Sequence, residues 1–255
     1  MTTAPDPTLV ETLRRARHVM ALTGAGVSAE SGIPTFRDRL TGLWERYEAA
    51  ELATPGAFAR DPALVWGWYE WRRAQVQRAA PNAAHRAIAR LAGCVPRLTL
   101  VTQNVDDLHE RAGSCGVIHL HGELARPRCD RCGAAHAATG PVADVPEGGR
   151  RIEPPRCAAC GSRVRPGVVW FGEALPRGPW EAAAAAARGC ELFFCVGTSA
   201  VVQPAASLID IARHAGATTV QVNPNPTGAE RVIDHALRGA AGELLPRLIV
   251  AAFGA

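Results

Sequence analysis

Short apolar runs separated by longer amphipathic stretches set the rhythm of this chain. HVMALTGAG (18–26), LTLVTQNVD (98–106), GVIHLHG (116–122), VVWFGE (168–173), ELFFCVGTS (191–199) and TTVQVN (218–223) are each short, apolar and β-branched. The pattern predicts buried strands, most of them ending in a polar or glycine-bearing tip. PNAAHRAIARLAG (81–93), DDLHERAG (106–113), PWEAAAAAARGC (179–190) and QPAASLIDIARHAG (203–216) fit helices between them. The last two close on Gly or Gly-Cys, as helix C-termini do. Buried strands alternating with helices imply an α/β fold with a parallel sheet covered on both faces.

Two stretches break the alternation. Residues 36–80 hold four of the six Trp (44, 66, 68 and 71) and no strand-like run, which predicts a helical insertion. Residues 124–165 are rich in Cys, Arg, Pro and Gly and poor in large aliphatics. Such a segment buries too little apolar area to fold alone, and a bound metal would supply the missing stability. The expected organisation is a sheet domain from 1–35, 81–123 and 166–255, with 36–80 and 124–165 forming a smaller one.

Composition narrows the function classes. At 255 residues, 47% hydrophobic and 20% charged, the chain suits a globular protein with a real core. No apolar run approaches the roughly 20 residues of a membrane span, and the N-terminus carries no secretory pattern. A cytoplasmic monomer is the expectation. The net charge of +4 is spread out, with no basic run interleaved with aromatics, so specific nucleic-acid binding is not expected. All 28 basic residues are Arg, so any lysine substrate must lie on another molecule.

Four of the eight cysteines are paired: Cys129, Cys132, Cys157 and Cys160 read C-x2-C, 24 residues, C-x2-C. Without an export signal, this spacing points to a metal rather than disulfides. Four thiolates on two knuckles make a closed tetrahedral zinc site, structural because no position remains for water or substrate. Cys94, Cys115, Cys190 and Cys195 are scattered in mostly apolar contexts and suggest no role.

The turn Gly24-Ala25-Gly26-Val27-Ser28-Ala29 follows a predicted strand and fits G-x-G-x-x-G/A. Gly24 would permit the turn, Gly26 close approach to a pyrophosphate, and Ala29 strand–helix packing, as in Rossmann-like folds. A structural βα turn remains open as the alternative. A dehydrogenase would also carry an acidic residue at the end of a second strand. Glu45, Glu48 and Glu51 lie near that distance, but in a region that reads as helix and loop.

The run GAGVSAESGIPTFR (24–37) closely resembles the NAD-binding signature of the sirtuins. Further matches follow in sirtuin order: Thr102-Gln103-Asn104-Val105-Asp106, His119-Leu120-His121-Gly122, the cysteine pairs, Val168 to Glu173, Gly197-Thr198-Ser199 and Val222-Asn223. They span about 18 to 245. The resemblance implies a Rossmann-like NAD domain plus a small domain of zinc ribbon and helical insertion, and an enzyme that consumes NAD to remove acyl groups from lysine. It makes His121 the general base, which takes a proton from a ribose hydroxyl, and places Asn104 and Asp106 beside it. Asp106 would contact the nicotinamide carboxamide; Asn104 and Gln103 would order the ribose. Gly24, Ala25, Gly26, Ser28, Ile33, Thr35, Phe36, Arg37 and Val105 also fall on the cofactor. Gly197, Thr198, Ser199, Asn223, Pro224, Asn225 and Ala241 complete that set. Asn225 replaces the acidic residue usual in the family. Val169, Trp170, Phe171, Gly172 and Glu173 would form one side of the peptide cleft by strand addition. His119 reads as structural. The products would be nicotinamide, free lysine and 2'-O-acyl-ADP-ribose.

The acyl group is narrowed by Tyr69-Glu70-Trp71-Arg72. At i and i+3 a Tyr hydroxyl and an Arg guanidinium share a helix face and can clamp a carboxylate. A solvated helix face is the bland alternative. Class III sirtuins, which favour succinyl- and malonyl-lysine, carry Tyr-x-x-Arg in this region, and Ala49 falls where that branch keeps a small residue. The resemblance therefore favours acidic acyl groups. A plain deacetylase, an ADP-ribosyltransferase and a non-enzymatic NAD-binding zinc-ribbon adaptor stay open.

Overall fold

The structure, a computed structural model, describes residues 5–35, 45, 47–137, 146, 149–227 and 232–254. Its centre is a six-stranded sheet in the order β3-β2-β1-β6-β7-β8, every pair parallel. The strands are β1 (His18–Thr23), β2 (Arg97–Thr102), β3 (Ile118–His119), β6 (Leu192–Val196), β7 (Thr218–Asn223) and β8 (His235–Arg238). A separate antiparallel pair joins β4 (Arg128–Cys129) to β5 (Val164–Arg165).

Helices α1 (Pro7–Arg15), α6 (Ala83–Leu91) and α10 (Ala241–Phe253) cover one face of the sheet. Helices α8 (Arg177–Gly189) and α9 (Ser207–His214) cover the other. The side-chain alternation of a strand decides which residue goes where. Val19 and Ala21 of β1 and Leu192, Phe194 and Val196 of β6 meet the first layer. Met20, Leu22, Phe193 and Cys195 meet the second. The alanine run of α8 presents Ala183, Ala184, Ala186 and Ala187 to that layer, so it is a packed helix. Burial pushes the Cys190 thiol up to about 11 and that of Cys195 up to about 12, which leaves both inert.

The chain between β1 and β2 begins with α2 (Gly26–Ala29), and the helical insertion holds α3 (Ala49–Leu52), α4 (Pro55–Arg60) and α5 (Pro62–Arg78). Asp61 caps α5 by accepting the Leu64 N–H at 3.1 Å, and Pro62 occupies the first turn, where its missing N–H costs nothing. Every residue from Ala63 to Tyr69 is buried. With Ala49, Leu52, Phe58, Trp68, Tyr69, Val168 and Trp170 this insertion builds a third apolar cluster, apart from the two sheet layers.

The structure corrects several sequence expectations. VVWFGE is no strand: Val168 makes one isolated bridge to Gly122, and the chain then turns at Phe171-Gly172-Glu173. β2 stops at Thr102, and only two residues of GVIHLHG pair as β3. DDLHERAG yields only the single turn α7 (Leu108–Arg111). Apolar content identified these segments, yet their polar tips are loops that reach the cleft. Elements outside the predicted set include α1, α10, the short pair β4 and β5, and the edge strand β8, whose side chains alternate between half-buried and exposed and leave no apolar run.

Candidate active site and metal centre

The sheet's register brings the chemistry to one edge. Thr23 lies opposite Thr102 and Val196, and Val196 opposite Val222, so four strand tips end level. The strand order reverses direction between β1 and β6, the switch point where open α/β sheets bind ligands. Gly24 N donates to Val196 O at 3.0 Å and Gly26 N to Gly197 O at 2.8 Å. A Cβ on Gly26 would sit 2.7 Å from Gly197 O. Contact between two strand tips thus requires this glycine, alongside any cofactor. Ala29, by contrast, is exposed at the end of a four-residue helix and packs no helix onto the sheet.

Ser28, buried behind the turn, is a hub. Asn104 Nδ2 donates to its hydroxyl at 3.1 Å, and the hydroxyl donates to Asp106 Oδ2 at 3.1 Å. His85 Nδ1 accepts the Asn82 N–H at 3.3 Å, so its proton sits on Nε2, which faces Ser28 Oγ at 3.4 Å. Asp106 Oδ1 accepts the Leu108 N–H at 3.2 Å, although the N-cap position of α7 itself is Asp107. Burial raises the Asp106 carboxyl above the usual range, opposed by its Leu108 and Ser28 bonds and by the Arg72 charge.

Asn104 is held from every side: its N–H donates to Thr102 Oγ1 at 3.0 Å, and its carbonyl faces His119 Nδ1 at 3.2 Å. The other nitrogen of His119 meets Glu110 at 2.8 Å. Burial alone would lower the His119 pKa, but Glu110 holds it above the ordinary value. With both nitrogens engaged, His119 is structural, as expected. His121 differs: Nδ1 faces Gln103 O at 3.0 Å and is therefore the protonated nitrogen, leaving a lone pair on Nε2 that can accept a proton. Burial lowers its pKa, against the Gln103 bond that raises it.

Gln103 Nε2 donates to Thr198 Oγ1 at 2.9 Å, and Asn223 Nδ2 to Thr198 O at 3.0 Å, tying three tips together. Ala25 and Ser199 are half-buried at the same edge, Pro224 and Asn225 are exposed beyond β7, and Ala241 is buried where α10 begins. Ile33 is buried, and Thr35 and Val105 half-buried. Phe36 and Arg37 lie outside the described residues.

Tyr69 and Arg72 share one face of α5. The buried Tyr69 hydroxyl accepts the Trp170 Nε1–H at 3.0 Å, and burial pushes its pKa up to about 12. Arg72 lies 5.2 Å over the Trp68 ring, and its charge is felt by both Tyr69 and Asp106. Ala49 is buried in the same cluster as Tyr69 and Trp170. Val169 N donates to His121 O at 2.8 Å and Phe171 N to Ala53 O at 2.9 Å, so this segment bridges His121 and the insertion. Phe171 is 47% exposed and Gly172 exposed, while Glu173 turns back to accept the Trp170 N–H at 2.8 Å.

Sequence reasoning missed a buried pair. His85 and His109 stack edge to face with ring centroids 4.8 Å apart. Thr23 donates to Thr102 at 2.9 Å, so His109 Nε2 must donate to Thr23, and this row ends on the hydroxyl that holds Asn104 N. The available signal was a histidine on the apolar face of each helix, which usually marks only a core residue.

The sulfurs of Cys129, Cys132, Cys157 and Cys160 all lie within 4.8 Å of one another, with closest pairs at 3.4 and 3.7 Å. A zinc–sulfur bond of about 2.3 Å implies a tetrahedron with edges near 3.8 Å, so this donor set fits one zinc ion.

Comparison with known proteins agrees with this geometry. The chain is 60% identical over 243 residues to the NAD-dependent protein deacylase of Methylococcus capsulatus, covering 95% of each. It is 61% identical over 245 residues to NAD-dependent protein deacylase 1 of Pseudomonas aeruginosa, covering 96% of this chain and 98% of that one. A crystal structure of a Sir2 homolog–NAD complex superimposes with TM-score 0.88 at 47% identity, over 98% of this chain and 94% of that one. Residues 24–204 match the Sir2 family, and the chain belongs to it.

Proposed function

We propose that this protein removes succinyl and malonyl groups from lysine side chains of other proteins. Its broader activity is that of an NAD-dependent protein deacylase. One observation carries the finer reading: Tyr69, bonded to Trp170, and Arg72, over the Trp68 ring, share a face of α5, and the Arg72 charge is felt by Tyr69 and by Asp106. A guanidinium placed there favours an acyl tail that ends in a carboxylate, and acetyl-lysine offers it no counter-charge.

NAD, when bound, supplies the ribose that receives the acyl group. His121 accepts a proton at Nε2, its ring oriented by the Gln103 carbonyl and kept neutral by burial. Asn104 presents its side chain from a backbone fixed by Thr102 and His119. Ser28 holds the Asn104 and Asp106 side chains in one arrangement. Gln103, Thr198 and Asn223 form a polar floor for the rest of the dinucleotide. Cys129, Cys132, Cys157 and Cys160 would hold a zinc ion, which would stabilise this module rather than take part in the chemistry. The third apolar cluster supports assigning 36–80 to a small domain, together with 124–165.

The test is nicotinamide release and acyl-lysine loss on matched succinyl, malonyl and acetyl peptides, for wild type and Arg72→Met. Preference for acidic acyls that disappears in Arg72→Met, with some deacetylation kept, supports the clamp. Preference for acetyl, unchanged by Arg72→Met, leaves a plain deacetylase.

A further inference from the structure

The polarity of the Tyr69 hydroxyl is set by a neighbour. Trp170 and Tyr69 are 2% and 3% exposed, and the indole Nε1–H meets the phenol oxygen at 3.0 Å. An indole nitrogen only donates. The phenol oxygen therefore accepts in that bond, and its own hydrogen must point elsewhere. Among the described residues it makes no other hydrogen bond.

The indole is not free to turn away. The Arg165 guanidinium lies 3.5 Å over the ring, and the Phe58 ring packs on it with centroids 5.3 Å apart. Arg165, itself 6% exposed, grips Glu173 through two bonds of 2.6 and 2.8 Å and reaches Val168 O at 3.3 Å. Glu173 in turn accepts the Trp170 backbone N–H. Two charges, a backbone bond and two ring contacts therefore lock one rotamer of one side chain.

We propose that Trp170 is a specificity-positioning residue. By committing Tyr69 to donate, it makes the pocket read acyl tails whose far end accepts hydrogen bonds and offers none. A carboxylate satisfies that requirement in any orientation. A terminal carboxamide of the same shape has one accepting oxygen, so with Tyr69 and Arg72 both donating, its NH2 must face a donor in either flip, and sites built this way reject a mismatched polar group. This inference rests on the reading that Tyr69 and Arg72 face the acyl tail.

The experiment compares kcat/KM on succinyl-lysine, succinamoyl-lysine (the terminal amide) and acetyl-lysine peptides. The proteins are wild type, Trp170→Phe, Tyr69→Phe and the double variant. Arg72 favours the charged tail in all four, so a change in the succinyl-to-succinamoyl ratio reports the hydroxyl. The ratio should fall about three- to tenfold in Trp170→Phe, the size of one neutral hydrogen bond, and through KM more than kcat. Adding Trp170→Phe to Tyr69→Phe should change it no further. An unchanged ratio in a folded Trp170→Phe, or additive losses in the double variant, overturns the proposal. If Trp170→Phe fails to fold, Tyr69→Phe decides: a fall in the ratio upholds the hydroxyl's role, and no change overturns it. A wild type that does not prefer succinyl over acetyl removes the acidic-acyl reading itself, and this proposal with it.

Discussion

Replacing Gly67 with alanine should weaken this protein, although the same change inside a helix ordinarily stabilises by about 1 kcal/mol. Gly67 lies in α5 between Trp66 and Trp68, where the segment around Arg150 to Ile152 crosses the helix. An alanine Cβ would come within 2.1 Å of Arg150 O and 3.1 Å of Ile152 N, both backbone atoms. Ordinary contact needs about 3.5 Å, so the crossing segment must retreat. It is held by the Ile152 N–H on Ala63 O at 3.0 Å, by Ile152 against the third apolar cluster, and by the exposed Arg151–Asp61 pair. The hydrogen bond contributes about 1 kcal/mol and partial loss of Ile152 burial about another 1, while the surface ion pair adds little. With packing strain of about 1–3 kcal/mol added and the propensity gain of about 1 kcal/mol set against the total, the net loss is about 2–4 kcal/mol. At about 2–4 °C per kcal/mol, Tm falls by roughly 4–16 °C. Urea unfolding of the zinc-loaded protein gives the free energy. Brief trypsin digestion adds a local readout, because loosening the segment frees the backbone at the already exposed Arg150 and Arg151 to enter a protease. A variant stabilised by about 1 kcal/mol, with unaltered cleavage there, would refute the crossing-segment argument.

His121→Gln should lower kcat/KM by about 10²–10⁴-fold, the usual contribution of a general base. Because burial lowers the His121 pKa, the acid limb of the wild-type pH profile should fall below the ordinary 6.5 or so of an imidazole; a limb above it contradicts the assignment. His85 and His109 sit at about 4 and about 3, so the unfolded chain binds their protons first as pH drops below about 6.5. Their contribution is full above that pH and is lost towards pH 4, at up to about 1.4 kcal/mol per unit each. Urea midpoints from pH 7.5 to 5 should therefore show a shallower slope in His109→Gln than in wild type. Stripping the metal with a chelator should release one zinc per chain, counted with a colorimetric dye, and lower Tm. Release of no zinc would sink the tetrathiolate assignment.

Periodicity revealed the sheet because parallel strands buried on both faces read as near-continuous apolar runs: all six residues of β1 are buried, and the four between His18 and Thr23 are apolar. It overextended at the strand tips, where apolar and polar residues alike leave the ladder to line a cleft; Val168 to Glu173 is the clearest case. Edge strand β8 escaped notice because a half-exposed strand has no such run. The zinc ligands were legible because coordination fixes their spacing. Tyr69 and Arg72 were legible only through resemblance, since a helix pair says nothing of what lies opposite. Arg165, His85 and His109 act through partners 8 to 86 residues away in sequence, and only the fold makes those pairings visible.

The level strand tips have a counterpart that matters for engineering. His18, Arg97, Leu192 and Thr218 begin their strands at the opposite edge of the sheet, where the described site residues do not reach. At the functional edge, one inserted residue would shift a tip by about 3.3 Å and break a hydrogen-bond network with little slack. At the other, the same insertion lengthens a connecting loop at small entropic expense. Tethers, reporter dyes or fused partners belong on that back edge, and length variation among descendants of this sequence should accumulate there.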